Sequence, residues 1–113
     1  MEMTDEELEI YNSLSSDEQD EFDYQSEKHP DWTFKKVMTK LAFEKKTDET
    51  LEKGGEDPDP DDPSLWEVIV EGVKDFLNQF PLLREVVRII ENAISTIVRR
   101  GREFIDDILD WLF

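Results

Sequence analysis

The side chains that could carry out chemistry in this chain are almost all carboxylates. Its 113 residues include 30 Asp and Glu, 13 Lys and Arg, one histidine and no cysteine. Nucleophilic catalysis needs a serine, cysteine or similar group held beside a base, and a phosphate-binding loop is rich in glycine. Neither pattern occurs. We therefore expect a protein that is not an enzyme, with no catalytic, cofactor-binding or metal-binding residues and no cofactor.

One run of acids has the spacing of a metal-binding loop. Asp57, Asp59 and Asp61 stand at alternate positions, as carboxylates do at the start of an EF-hand calcium loop. That loop needs glycine at position six and glutamate at position twelve, where this chain has Asp62 and Val68. These departures exclude an EF-hand, and a solvated linker is the favoured interpretation.

The single histidine lies in the tripeptide His29-Pro30-Asp31. The tripeptide resembles the one that J-domain co-chaperones place between two helices to engage their heat-shock partner. The helix predicted before it is acidic here, whereas the corresponding J-domain helix is basic. Helix boundaries explain the pattern more simply, because proline stops a helix, histidine suits a helix C-terminus and aspartate suits the next N-cap.

Arg99, Arg100 and Arg102 form a basic cluster in an otherwise acidic chain. Pairing with nearby acids, for example Arg102 with Asp106 one helical turn away, is the favoured interpretation. The net charge of −17 opposes binding to nucleic acid or to an anionic membrane surface. No run of residues approaches the ~18 uninterrupted apolar positions of a membrane span. With an acidic N-terminus that does not resemble a secretory signal, we expect a soluble, cytoplasmic protein.

Charge and apolar residues are distributed unequally along the chain. Residues 1–63 hold 21 acids and 7 bases, and 16 of these 63 residues are hydrophobic, whereas residues 64–113 hold 9 acids, 6 bases and 26 hydrophobic residues. The stretch 47–63 combines two glycines, three prolines and eight acids, a composition that neither buries a core nor continues a helix. The chain is therefore predicted to comprise an acidic helical module (1–46), a linker (47–63) and an apolar helical hairpin (64–113).

Three short helices are predicted before the linker. Thr4 stands three positions before Glu7, which is the spacing of a capping box. Ser15 and Ser16 likewise stand three positions before an acid and an amide. A second helix should run to about Lys28, where Pro30 stops it. A third should begin near residues 31–33, with an apolar stripe at Phe34, Val37, Met38 and Leu41.

Two amphipathic helices, one short and one long, are predicted after the linker. The first should run from Ser64 to about Gln79, and Pro81 either turns the chain, which we favour, or kinks one continuous helix. The last helix carries an unbroken heptad pattern typical of helix–helix interfaces. Its candidate interface residues are Leu83, Val87, Ile90, Ile94, Ile97, Gly101, Phe104, Ile108 and Trp111. A second apolar stripe beside it indicates that the long helix is covered from two sides.

Together these patterns predict an all-α protein whose function is interaction with other proteins. In the first hypothesis the C-terminal helices are the assembly element, through a homo-oligomer or a stable complex with another protein, and the acidic half recognises a partner or keeps the protein in solution. In the alternative, the chain is an acidic inhibitor that mimics nucleic acid and blocks a DNA- or RNA-binding protein. Its candidate acidic face comprises Asp17, Asp20, Glu21 and Asp23. A seam buried inside a folded monomer is the third possibility.

Overall fold

A computed structural model describes residues 2–53, 63–100 and 109–110 of the chain. All the regular secondary structure in these ranges is helical, which confirms the predicted fold class. The helices are α1 (Asp5–Ser13), α2 (Ser16–Lys28), α3 (Phe34–Lys53), α4 (Pro63–Asn78) and α5 (Arg84–Arg100). One turn of 3-10 helix, Pro81–Leu83, precedes α5.

Reciprocal capping boxes start the first two helices. The Thr4 backbone N–H donates to Glu7 Oε1 at 2.9 Å, and the Glu7 backbone N–H donates to Thr4 Oγ1 at 3.2 Å. Ser15 and Glu18 exchange the same pair of hydrogen bonds, at 2.8 and 3.3 Å. Each box satisfies N–H groups that would otherwise lack a partner at the helix start. Both capping boxes, and the end of α2 at Lys28, confirm the predictions.

Helix α3 is the central element. Every residue from Val37 to Phe43 is buried, including Thr39 and Lys40, so this helix is covered on several sides and not along a single stripe. It contacts α2 on one flank and α4 on another. The approach to α4 is close at Gly72, where an added Cβ would lie 3.0 Å from Lys46 Cδ.

Helix α3 extends into the stretch that was predicted to be linker. It continues to Lys53, so residues 47–53 lie beyond the predicted boundary at residue 46. These seven residues contain neither proline nor glycine, so nothing in them obliges the helix to stop. Thr47, the first of them, is buried. The alternating aspartates at 57–61 lie outside the described residues.

Helices α4 and α5 are separate and pack against each other. Their connection consists of residues 79–80 and the turn Pro81–Leu83, so Pro81 stands at a break between two helices and not at a kink within one. Lys74 of α4 and Glu91 of α5 lie 3.8 Å apart across the contact.

The structure describes α5 as far as Arg100. The predicted continuation of this helix lies outside the described residues except for Leu109 and Asp110. The Lys35 ammonium lies 3.0 Å from Glu85 at the start of α5, and that of the adjacent Lys36 lies 2.6 Å from Asp110. Leu109 is buried, and Asp110 lies beside the start of α3.

One hydrophobic core includes both halves of the chain. Its buried residues extend from Ile10 and Leu14 near the N-terminus to Ile97 and Leu109. The contact of α3 with α4 joins the acidic half to the apolar half directly. The N-terminal half therefore covers part of the apolar surface of the C-terminal helices, chiefly through the packing of α3 on α4.

Candidate functional site

An acidic groove lies between the start of α2 and the middle of α3. It has a volume of about 380 Å³. Its lining, called the acidic groove below, consists of Ser15, Asp17, Glu18, Glu21, Leu41, Glu44, Lys45, Asp48 and Glu49. Six of these nine side chains are carboxylates and one is a lysine. Such a surface attracts cations, and its only large apolar side chain, Leu41, is itself buried.

Lys45 of α3 links the two sides of the acidic groove through an ion pair with Glu18 of α2. Its ammonium donates a hydrogen bond to Glu18 of α2 and also lies 5.1 Å from the centre of the Phe76 ring in α4. Burial by itself would raise the pKa of Glu18, but the Lys45 ammonium and the hydrogen bonds from Ser15 hold that pKa below its usual value. Glu18 therefore stays ionised at neutral pH and fixes α2 against α3.

Aromatic packing fixes the acidic helices on the core. The rings of Tyr11 in α1 and Phe22 in α2 meet edge to face with centroids 5.2 Å apart, and Phe22 lies 5.5 Å from Phe34 of α3. The Tyr11 hydroxyl donates to Asp23 at 2.9 Å. That hydrogen bond, followed by burial and the negative charges of Asp23 and Asp20, raises the pKa of Tyr11. The hydroxyl consequently remains a donor that ties α1 to α2.

The four residues predicted as one acidic face are divided between two places. Asp17 and Glu21 line the acidic groove and face α3. Asp20 and Asp23 lie toward α1, where both act on Tyr11. Asp17, Asp20 and Asp23 are exposed, whereas Glu21 is partly buried and accepts a hydrogen bond from Gln25 at 2.9 Å.

Sequence reasoning missed the side of the acidic groove that α3 supplies. Glu44, Asp48 and Glu49 come from α3, and the last two fall in the stretch that was predicted to be linker. The spacing of Glu44 and Asp48, four residues apart, indicates one helix face. This signal could have been found only if the helix had been extended past residue 46.

The N-terminal helices carry an unusual excess of unneutralised charge. Residues 1–27 contain eleven carboxylates and no lysine or arginine. Within the described part of the chain, Glu18 is the only one of these eleven in an ion pair. By contrast, Lys35, Lys36, Lys40 and Lys46 of α3 all pair with acids outside α1 and α2.

The candidate interface residues of α5 lie mainly in the chain's own core. Leu83, Ile90 and Ile97 are fully buried and Val87 is 8% exposed, while Ile94 is partly buried against the same core. Gly101, Phe104, Ile108 and Trp111 lie outside the described residues. In this fold the described part of the seam is therefore occupied by the molecule itself, and a second chain could reach it only if the core opened.

The histidine tripeptide has a structural role. His29 is the C-cap residue of α2, and its backbone N–H donates to the Gln25 carbonyl at 2.9 Å. Its ring stacks on Trp32 with centroids 3.7 Å apart, and the Lys36 ammonium lies 4.8 Å from the centre of the Trp32 ring. These contacts order the corner between α2 and α3. His29 ends α2 as the explanation by helix boundaries predicts, but Thr33, and not Asp31, accepts the capping hydrogen bond at the start of α3, from the Lys36 backbone N–H at 3.3 Å.

Among the described residues, 2–53, 63–100 and 109–110, no three histidine, cysteine or acidic side chains are grouped so that they could hold a metal ion. None of the helices in these ranges has both the length and the apolar character needed to cross a membrane. No protein-family model, curated protein sequence or solved structure gives a significant match to this chain.

Proposed function

We propose that this protein is a non-enzymatic interaction protein whose acidic groove and N-terminal helices bind a basic surface of another protein. The observation that carries the proposal is the concentration of eleven carboxylates in residues 1–27, of which one is in an ion pair within the described residues. Charges that a chain does not neutralise internally are available to a partner of opposite sign.

Preorganisation also supports this proposal. The capping boxes, the Tyr11–Phe22–Phe34 contacts and the Glu18–Lys45 pair hold the carboxylates on helices that pack against the core. Side chains held in this way lose less conformational entropy on binding than side chains of a flexible tail. Carboxylates one helical turn apart are neighbours at ~5–6 Å, which suits recognition of closely spaced lysines and arginines.

Basic surfaces with many lysines and arginines are typical of proteins that bind nucleic acid. The nucleic-acid-mimicking inhibitor is therefore the specific form of the proposal. Such a complex forms quickly and weakens as salt rises, because screening acts on exposed charges.

A matched pair of variants tests the proposal. Asp17→Asn with Asp20→Asn alters the candidate surface, and Glu67→Gln with Asp75→Asn removes the same charge from exposed positions of α4. The probe is a synthetic helical peptide rich in arginine and lysine, titrated calorimetrically at several salt concentrations. We expect roughly fivefold weaker binding for the first variant, from the loss of two exposed ion pairs, and a smaller change for the second. Equal losses would indicate nonspecific attraction by net charge and would contradict the proposal.

Competition with double-stranded DNA for a basic DNA-binding protein then tests the mimic. Displacement of the DNA by the wild type, with a clear loss for Asp17→Asn/Asp20→Asn, is the expected result. Binding of the peptide without displacement of DNA would support recognition of a basic protein and reject mimicry.

Assembly through the C-terminal helices is the less favoured proposal. The burial of Leu83, Ile90 and Ile97 in the core leaves the described part of the seam without a free face. Such an assembly would be held by apolar burial and would therefore persist at high salt. A salt-resistant oligomer in solution is the result that would favour it.

A further inference from the structure

The outward face of α5 carries a stripe of arginines. Arg84, Arg88 and Arg99 are all exposed. At 3.6 residues per turn they fall within an arc of ~60° and extend over ~22 Å of the helix. Their side of the helix lies opposite Ile90 and Ile97, which are buried in the core. We refer to these three residues as the arginine stripe.

The arginine stripe is not neutralised by its own helix. The two acids that flank it, Glu85 and Glu91, face Lys35 at 3.0 Å and Lys74 at 3.8 Å on other helices. No ion pair involves the three arginines within the described part of the chain. The lysines of α3 and α4 whose side chains are described differ in this respect, because each of them pairs with an acid.

The molecule thus has two exposed surfaces of opposite charge that belong to different flanks of the fold. Helix α2 packs on α3, α3 packs on α4, and α4 packs on α5. The acidic helix α2 and the arginine-bearing helix α5 therefore stand at opposite ends of this series of contacts. Both surfaces are open to a neighbouring molecule. Guanidinium groups can bind carboxylates through two parallel hydrogen bonds, and the acidic helices supply closely spaced carboxylates.

We propose that the arginine stripe docks on the acidic α1–α2 surface of a second copy of this chain. The contact joins two different patches and is therefore head to tail. It extends beyond the proposed function and needs no basic partner to exist. A basic partner that binds the acidic surface competes with it, so that self-association regulates access to that surface.

The electrostatics give this contact a characteristic dependence on salt. Two copies with a net charge of −17 each repel one another at long range. At ~0.01 M salt charges interact over ~30 Å, at ~0.15 M over ~8 Å and at ~1 M over ~3 Å. Repulsion between whole molecules therefore dominates at low salt, the local attraction survives at intermediate salt, and both are weak at high salt. Self-association should consequently be strongest at intermediate ionic strength.

The first experiment measures self-association of the full chain by sedimentation equilibrium at about 0.01, 0.15 and 1 M salt. The wild type should associate most strongly at the intermediate concentration. The variant Arg84→Gln/Arg88→Gln/Arg99→Gln should associate about tenfold more weakly there, from the loss of three exposed ion pairs. Thermal unfolding followed by circular dichroism shows that the variant is folded, since all three side chains are exposed.

A charge exchange keeps the test independent of net charge. One variant carries Arg84→Glu and Arg88→Glu, and the other carries Asp17→Arg and Asp20→Arg. Each alone should remain monomeric, and an equimolar mixture should associate, because opposite charges then face each other across the proposed contact. A mixture that stays monomeric overturns the proposal. So does a wild type that is monomeric at every salt concentration, or an oligomer that neither salt nor the arginine substitutions weaken. Because the assay contains no basic probe, its failure leaves the proposed function to its own test.

Discussion

At the scale of single residues, burial decides which polar groups stabilise the fold and which oppose it. Thr39 and Thr50 donate their hydroxyls to the carbonyls of Lys35 and Lys46, both at 2.7 Å. Thr47, on the same helix and 8% exposed, has no hydrogen-bond partner for its hydroxyl among the described residues. A buried hydroxyl without a partner costs free energy because it has lost its hydrogen bonds to water.

Replacement of Thr47 by valine should therefore stabilise the protein. Valine has a similar shape and helix propensity and removes the unsatisfied group, so we expect the free energy of unfolding to rise by about 1 kcal/mol. Urea denaturation followed by circular dichroism measures the change. Thr39→Val is the matched control and should give no gain, because it deletes a satisfied hydrogen bond. A gain in the control equal to that of Thr47→Val would contradict this interpretation.

Glu18→Gln should lower stability at neutral pH but not in acid. Glutamine can retain the capping bond from Ser15, so the substitution removes mainly the charge that pairs with Lys45. The folded-state pKa of Glu18 is lowered. Its contribution is therefore present above the unfolded value of roughly 4.3 and is lost as the pH falls through the lowered pKa. We expect a deficit of about 1 kcal/mol at pH 7.

The difference in urea midpoint between wild type and variant is measured at about pH 7 and again at about pH 3. Both proteins carry the same remaining carboxylates, so the effect of acid on those groups cancels in the comparison. Asp20→Asn is the control at an exposed position without an ion pair in the described residues. A deficit that is the same at both pH values would show that the ion pair is not its cause.

At the scale of the elements, residues at equivalent positions of a heptad pattern differ in how deeply they are buried. Ile90 and Ile94 both lie on the predicted seam, yet Ile90 is fully buried and Ile94 is only partly buried. The pattern places both residues on the same side of α5, whereas the depth of each depends on the helices that lie opposite.

Ile90→Ala should cost roughly 2–5 kcal/mol of unfolding free energy, and Ile94→Ala less than about half as much. The larger cost reflects the cavity left in a closed core. Chemical denaturation of both variants at one protein concentration measures the ranking. Equal costs would contradict the burial described here and would indicate that another molecule covers Ile94, as the assembly hypothesis requires.

At the scale of the whole molecule, the acidic and apolar halves depend on each other. Helix α3 is buried all around between Val37 and Phe43, and α4 supplies an extensive part of its cover. Loss of α4 would expose apolar surface of α3 to water, at a cost of ~25 cal/mol per Å².

A fragment comprising residues 1–53 should therefore be largely unfolded in isolation. We expect a weak helical signal by circular dichroism and no cooperative transition in urea, whereas the full chain should unfold cooperatively. Cooperative unfolding of the fragment would instead establish the N-terminal half as an independent module, as its composition first indicated.

The sequence by itself determined the local features of this protein. Capping boxes at Thr4 and Ser15, the stop after Lys28 and the break at Pro81 depend on hydrogen bonds and steric limits within a few residues. The helical class follows from the same local preferences and from apolar spacing, which also marked Val87, Ile90 and Ile97, all buried residues of α5.

Only the tertiary structure decided what those helices cover and which charges remain free. The continuation of α3 through residues 47–53, the return of Asp110 to the start of α3 and the acidic groove all depend on contacts between distant segments. Local composition cannot encode them, because the partners that α3 meets in α2 and α4 are distant from it in the sequence. For the same reason, the charge pattern predicted an acidic half, while the pairing of lysines in space determined where its charge stays unneutralised.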